Sequence, residues 1–345
     1  MAGDEGCQAV LVRATRSGRY TRGMKNSPHD SLRTSLTRRR LLGGAAAVAA
    51  TAGFSRRALA QDAAASTEPS VERSAIRRVR IPRTGELLPC IGVGTSRTFD
   101  VDPAAPPAAL VDVMDRFARW GGSVIDSSPM YGRSEAVVGA LLDGIGRDDM
   151  FYATKVWTRD GKQAGIDQMA TSEELMGTPR FDLMQVHNLV GLDVHMETLA
   201  EWKAEGRIRY LGITEMRDMD KVEELVVSGA IDFIQIPYNV VDRTVEDRVL
   251  PACIEHDVAV LVMRPYQRGS LFGAVSDKEL PGWAADFGAA SWGQLFLKFI
   301  LGHPSNPIPI PATSKPHHMD DNMGAGIGPA LDAAARERLA ELVAG

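Results

Sequence analysis

The stretch from Gly121 to Glu135 reads GGSVIDSSPMYGRSE and puts an acid, Asp126, and a phenol, Tyr131, at the end of one short apolar run. Two later runs finish in the same manner: FYATK closes on Lys155 and DLMQVH closes on His187. Three strand-like segments therefore each end in an ionisable or hydrogen-bonding side chain. Polar termini repeated in this way are not a core pattern. Barrels of alternating strands and helices build their chemistry at the C-terminal ends of strands, from side chains far apart in sequence. Asp126, Tyr131, Lys155 and His187 are the candidate catalytic rim.

Outward from that stretch the alternation persists. Strand-like runs are IGVGT (91–95), SVIDSS (123–128), MFYATKV (150–156), FDLMQVH (181–187), RYLGIT (209–214), DFIQIPY (232–238), VAVLVM (258–263) and NPIPIPA (306–312). Segments with helical spacing lie between or after them at 108–120, 134–142, 165–176, 194–205, 218–228, 245–256, 289–301 and 316–325, with a closing helix at 331–343. Eight strand–helix units in about 255 residues predict an α/β fold, a closed (β/α)8 TIM barrel. Ahead of them RRVRIPRTGELLPCIG alternates around Thr84-Gly85, a hairpin that would cap the bottom of the barrel. A doubly wound open sheet is the runner-up, but it wants a glycine fingerprint after its first strand. GVGTSR lacks the third glycine, and the cluster Gly324-Ala325-Gly326-Ile327-Gly328 follows a helix and reads as its stop. Pro309 and Pro311 lack the N–H that a ladder needs, so the eighth strand is the weakest of the eight.

The first sixty residues stand apart from the 345-residue whole. They carry eleven Lys/Arg against three Asp/Glu, whereas the remaining 285 carry 28 against 41. An acidic working domain argues against a nucleic-acid partner. Within the leader, Thr37-Arg38-Arg39-Arg40-Leu41-Leu42 precedes a Gly/Ala-rich apolar run to about Phe54, then Arg56-Arg57 and Ala58-Leu59-Ala60. This resembles a twin-arginine export signal cleaved before Gln61, with Met24 as the suspected true start, and it implies the twin-arginine machinery as a partner and a periplasmic destination. The apolar run is shorter than the roughly 20 residues a membrane span needs, so no stable span is expected after cleavage. An uncleaved anchor or a basic tail is the alternative. Residues 61–75 read as a flexible linker, and 76–345 as one barrel domain. Cys90 and Cys253 read as small core residues rather than a disulfide, and no histidine or cysteine spacing matches a metal site. Trp157 is a candidate for the pocket wall and Trp120 for the core.

The run IDSSPMYGRSE resembles the signature of the aldo/keto reductases around their acid and tyrosine, and Asp126, Tyr131, Lys155 and His187 resemble that family's tetrad. The resemblance covers about residues 76–345. It implies reduction of an aldehyde or ketone by NADP(H), with NAD(H) as the alternative. Hydride arriving at a carbonyl carbon leaves charge on oxygen, so an acid must stand there. Tyr131 is that acid, with Lys155 expected to lower its pKa, Asp126 holding the ammonium in place, and His187 orienting the carbonyl. Carboxamide contacts of the family fall on Thr214, Glu215 and Gln235, although Glu215 stands where the family usually has Asn. Met263 stands where a ring usually stacks on the nicotinamide. Thr313, Ser314, Lys315, His318, Asp321 and Asn322 resemble the adenosine-phosphate segment, with His318 where an arginine often grips the 2′-phosphate and Asp321 where a Glu often sits. Two rivals remain: a non-catalytic nucleotide-binding or redox-sensing protein of the same fold, and a barrel isomerase or lyase that forms a Schiff base on its lysine.

Overall fold

The computed structural model of the protein describes residues 76–143 and 149–345. The leader, its twin-arginine motif and the linker lie outside the described residues. A two-stranded antiparallel hairpin comes first, β1 (Arg78–Arg80) with β2 (Leu87–Pro89), in the register Arg78↔Pro89. Its turn closes with the Gly85 N–H donating to Ile81 O, at a glycine with φ +76°. The hairpin docks on the N-terminal ends of barrel strands: Thr84 Oγ1 meets Tyr210 Oη at 2.8 Å, and Arg83 reaches Asp232 at 3.1 Å. It plugs the face opposite the catalytic rim.

Eight parallel strands follow, each paired with its sequence neighbour: β3 (Val93–Gly94), β4 (Val124–Asp126), β5 (Phe151–Val156), β6 (Phe181–His187), β7 (Ile208–Thr214), β8 (Phe233–Pro237), β9 (Ala259–Met263) and β10 (Ile308–Pro309). The Gly92 N–H donates to Pro309 O at 3.0 Å and joins the first strand to the last. The eighth strand is short because Pro309 and Pro311 supply no N–H to a ladder. β5 and β6 are buried along their whole length, as expected of parallel strands covered by side chains inside and helices outside.

The helices are α1 (Ala108–Arg119), α2 (Ser134–Leu142), α3 (Lys162–Met176), α4 (Leu192–Ala204), α5 (Met219–Val227), α6 (Val249–Glu255), α7 (Ser270–Ala274), α8 (Trp292–Leu301), α9 (Pro316–Gly324) and α10 (Ala333–Ala344). Their faces follow the apolar spacing. In α1 the buried residues are Leu110, Val113, Met114 and Phe117, one stripe at i, i+3, i+4 and i+7. Side-chain oxygens of Asp218, Ser291 and Asp332 accept the first free N–H groups of α5, α8 and α10.

Two expectations need correction. The helix expected over 245–256 breaks into a 3-10 turn, Thr244–Glu246, and α6. Pro251 is the reason, since it has no N–H to give Asp247 O and its ring clashes with that carbonyl, so α6 cannot extend backwards. The helix expected from 289 begins at Trp292, because Ser291 is extended and its hydroxyl accepts the Gln294 N–H, which caps the helix there. Between β9 and α8 the chain also forms 3-10 turns at Gln267–Gly269 and Gly282–Phe287, flanking α7, with no counterpart in the sequence expectation. Cys90 and Cys253 are buried free thiols, and burial pushes them up to about 11 and about 12, out of the nucleophile range. Among the described residues no helix is long and apolar enough to cross a membrane.

Candidate active site

Strand register decides which side chains reach the rim. Asp126 ends β4, Lys155 is the last residue but one of β5, and His187 ends β6. Parallel pairing of Asp126 with Ala153 and of Lys155 with Gln185 sets them at similar heights on neighbouring strands. Tyr131 arrives by a different route, on a 3-10 turn, Pro129–Tyr131, whose cap is the Ser128 hydroxyl accepting the Met130 N–H at 3.1 Å. The next residue must be glycine: Gly132 has φ +64°, and a Cβ there would lie 2.6 Å from the Asp100 carboxylate.

The Lys155 ammonium is fully buried and donates to Asp126 Oδ1 at 2.9 Å, Asp126 Oδ2 at 2.7 Å and Ser127 O at 2.6 Å, with the Tyr131 phenol also within its reach. Gln185 donates a further bond to Asp126 Oδ1 at 3.1 Å. Burial disfavours the ammonium, but the Asp126 carboxylate outweighs it with help from Tyr131, and the Lys155 pKa stands above the ordinary lysine value. An amine held this way stays protonated, which counts against the Schiff-base reading. The same cation lies 5.0 Å from the centre of the Tyr131 ring.

The Tyr131 phenol is raised, not lowered. Burial pushes it up, Lys155 pulls it down, and Asp126 pushes it up again, so burial carries the balance. Lys155 does pull the phenol down, as expected of it, but burial, with Asp126 beside it, outweighs that pull and leaves Tyr131 above its ordinary value. His187 sits edge-on to Tyr131, with ring centres 5.8 Å apart and planes at 89°. Burial first, then the nearby Lys155 charge, push the His187 imidazole down to about 3, so it is neutral at working pH.

These groups open onto one cavity of about 770 Å³ that Asp126, Tyr131 and His187 line together. Of the ten residues singled out for a nucleotide, Gln235, Met263, Thr313, His318, Asp321 and Asn322 also line it. Thr214, Glu215, Ser314 and Lys315 do not. The Thr214 hydroxyl is turned into the wall, where it accepts the Asn188 N–H at 3.0 Å. Glu215 folds back on its own backbone and accepts the N–H groups of Met216 and Arg217 at 2.7 and 2.8 Å, a local bond that a short loop carboxylate makes at the expense of reaching inward. Ser314 and Lys315 are exposed outside the cavity at the start of α9. Asp321 lines the cavity but is engaged by α8, accepting from Ser291 Oγ at 2.8 Å and Gln294 Nε2 at 3.0 Å. Asn322 Oδ1 accepts from Tyr266 Oη at 2.6 Å. Trp157 does not line the cavity, and Trp120 is half-buried, bonded through Nε1 to Asp320 at 2.9 Å.

Other side chains were not foreseen. Asn188, directly after His187, faces the cavity, as do Arg97, Arg264 and Arg268. None of these three arginines makes an ion pair among the described residues. Burial and the neighbouring Arg268, Arg217 and Arg97 charges lower Arg264, which signals positive charge gathered at the mouth of an otherwise acidic domain. Two buried polar atoms of cavity residues, Gln235 Nε2 and Thr98 Oγ1, have no hydrogen-bond partner among the described residues. Unpaired cations at one part of the cavity and orphaned hydrogen-bonding groups elsewhere fit a ligand with phosphates and an amide, which is the donor–acceptor set of a nicotinamide dinucleotide. The signal in sequence was slight, because the three arginines lie in loops after β3 and β9, where position along the chain does not set side-chain direction. Among the described residues no cluster of three His, Cys, Asp or Glu could hold a metal ion.

A sequence model of the Aldo/keto reductase family matches residues 90–344. The chain is 27% identical over 233 residues to the NADH-specific methylglyoxal reductase of Escherichia coli, covering 60% of this chain and 70% of that one. It is 23% identical over 287 residues to the aldo-keto reductase yakc [NADP(+)] of Schizosaccharomyces pombe, covering 70% and 84%. Among solved structures, an aldo/keto reductase from Klebsiella pneumoniae in complex with NADP and acetate superposes with a TM-score of 0.64 at 25% identity, covering 77% of this chain and 94% of that one.

Proposed function

The chain belongs to the aldo/keto reductase family, and from that premise we propose that it reduces an aldehyde or ketone to an alcohol with NADP(H), using Tyr131 as the acid. The observation that carries this reading is the meeting of Tyr131, His187 and the Lys155–Asp126 pair at one cavity. When bound, the nicotinamide supplies the hydride. The residues of this chain do the rest. His187, neutral, donates to the carbonyl oxygen and holds it beside the phenol. Tyr131 gives its proton to that oxygen as charge develops there. The phenolate that forms is stabilised by the Lys155 ammonium, and Asp126 keeps that ammonium charged in a site where burial opposes it. The raised phenol pKa keeps the acid loaded at neutral pH, and Lys155 limits how far burial raises it.

Gln235 and Asn188 would hold the carboxamide, Met263 would pack against the ring, Arg97, Arg264 and Arg268 would meet the diphosphate, and Thr313 with His318 would face the 2′-phosphate. An aldehyde of the kind that fits beside Met130 and Tyr266 is the small-molecule partner. NAD(H) is the alternative cofactor, since one relative is named as NADH-specific. The leader motif Arg38-Arg39-Arg40 supports export of the protein to the periplasm by the twin-arginine route. Cell fractionation reads this directly, and retention in the cytoplasm would refute it.

The central test is Tyr131→Phe. Without the phenol, Lys155 keeps its bonds to both Asp126 oxygens and to Ser127 O, so the variant should fold and bind NADPH as the wild type does. Reduction of 4-nitrobenzaldehyde should fall by about 10²–10⁴-fold, the usual worth of a general acid. Full activity in Tyr131→Phe would sink the assignment. NADPH binding without turnover in the wild type would favour the nucleotide-sensing rival.

A further inference from the structure

We propose that Ser128 is a positioning residue that fixes the tautomer of His187, keeping its proton on Nε2, the ring nitrogen left free for the cavity. The inference rests on the reductase reading, in which His187 donates to the substrate oxygen. Ser128 lies two residues beyond Asp126, the last residue of β4, and is fully buried. Its Oγ lies 2.9 Å from His187 Nδ1 and accepts the Met130 N–H at 3.1 Å.

A hydroxyl has one proton and two lone pairs. With one lone pair committed to Met130, two arrangements remain. In one, the hydroxyl donates to a bare Nδ1. In the other, it accepts from Nδ1–H, and its own proton is left without an acceptor, because no other group among the described residues bonds to Ser128 Oγ. A buried O–H without a partner is disfavoured, so the first arrangement holds. Nδ1 then carries no hydrogen, and the ring proton must sit on Nε2. No protein group among the described residues bonds to Nε2, and His187 lines the cavity beside Tyr131. Double protonation of the ring does not confuse the choice at working pH, since burial and Lys155 keep the imidazole neutral down to about 3.

The consequence is a choice of sign. In the Nε2–H tautomer the ring offers a donor to a carbonyl oxygen, and in the other tautomer it offers a lone pair that repels it. Ser128 also caps the turn that carries Tyr131. One hydroxyl therefore sets both the proton of the orienting residue and the turn of the acid.

The direct test is the ring ¹⁵N spectrum of the full chain labelled at histidine, with His187 assigned by its loss in His187→Gln. A protonated Nε2 and a hydrogen-bonded, unprotonated Nδ1 are expected, and a protonated Nδ1 in the wild type overturns the proposal. In Ser128→Ala the Nδ1 resonance should shift as its donor disappears. The kcat for 4-nitrobenzaldehyde should drop by about tenfold, on the scale of lost supporting hydrogen bonds. The Kd for NADPH should stay within about twofold, since catalysis rather than binding is affected. Ser128→Thr, which keeps the hydroxyl, should restore the wild-type ring shifts. An unchanged spectrum and unchanged kcat in Ser128→Ala would also overturn it. A wild type that turns over no aldehyde removes the reductase reading, while the ring shifts still decide the tautomer.

Discussion

Replacing Asp126 by asparagine should destabilise the protein more than replacing Asp126 and Lys155 together. Lys155 and Asp126 are 0% and 2% exposed, with Nζ 2.7 Å from the nearer carboxylate oxygen. Removing one partner of such a buried pair costs about 3–5 kcal/mol, because the other charge is left uncompensated. The amide of Asp126→Asn would still offer one oxygen, and Ser127 O remains at 2.6 Å, so the lower end, about 3 kcal/mol, is expected. At about 2–4 °C per kcal/mol for a domain approaching this size, Tm should fall by roughly 6–12 °C. In Asp126→Asn with Lys155→Met, the unbranched methionine follows the lysine stem and no buried charge is left. That double variant should recover at least about 2 kcal/mol of what the single change lost, since neutral replacement of a buried pair is often tolerated. Urea unfolding of the wild type, both single variants and the double variant gives the coupling energy, provided the slopes match. Turnover should not return with stability, as the ammonium is gone. If the two single costs add to the double cost within about 0.5 kcal/mol, the residues are uncoupled, and the claim that Asp126 sustains the charge on Lys155 fails.

The pH profile of kcat should be flat from about pH 5 to 8, because neither member of the acid–orienter pair titrates there. Tyr131 stays protonated until pH rises through a value above its ordinary 10, and His187 stays neutral until pH falls toward about 3. By linkage, the depressed His187 pKa contributes stability that is present above the unfolded value near 6.5 and is lost as pH falls through that window toward about 3. A kcat inflection near 6.5 that disappears in His187→Gln would contradict the neutral assignment. His318→Arg should raise the preference for NADPH over NADH by about tenfold, since a guanidinium fork grips a phosphate more firmly than a neutral imidazole. An unchanged ratio of the two kcat/KM values would remove His318 from the 2′-phosphate site.

Strand–helix alternation made the barrel legible, because each apolar run must be buried and each amphipathic helix must cover it. All eight strand positions and the hairpin at Thr84-Gly85 were readable from period and turn residues. Boundaries were less readable where one residue vetoes a local pattern. Pro251 splits a segment whose apolar spacing alone reads as a continuous helix, and the Ser291 cap delays the start of α8. The tetrad was legible for the same reason as the barrel: parallel strands bring their C-terminal ends to one rim, so residues at those ends meet whatever their separation in sequence.

The nucleotide contacts were only partly legible. Position along the chain marked Gln235, Met263, Thr313 and His318, and these line the cavity. It also marked Glu215, whose carboxylate prefers the two N–H groups beside it, and Thr214, whose hydroxyl is taken by Asn188. Side-chain direction in a loop depends on which backbone donors lie within reach, and linear order does not record that. The sequence by itself determined the barrel and the four residues at its rim, because burial period and strand order are local properties. Only the tertiary structure decided their state: that burial outweighs Lys155 at the Tyr131 phenol, that Ser128 meets Nδ1 of His187, and that three arginines with no ion pair among the described residues share one cavity. Each of these depends on distance and desolvation between distant parts of the chain, where Coulomb and hydrogen-bond energies are set.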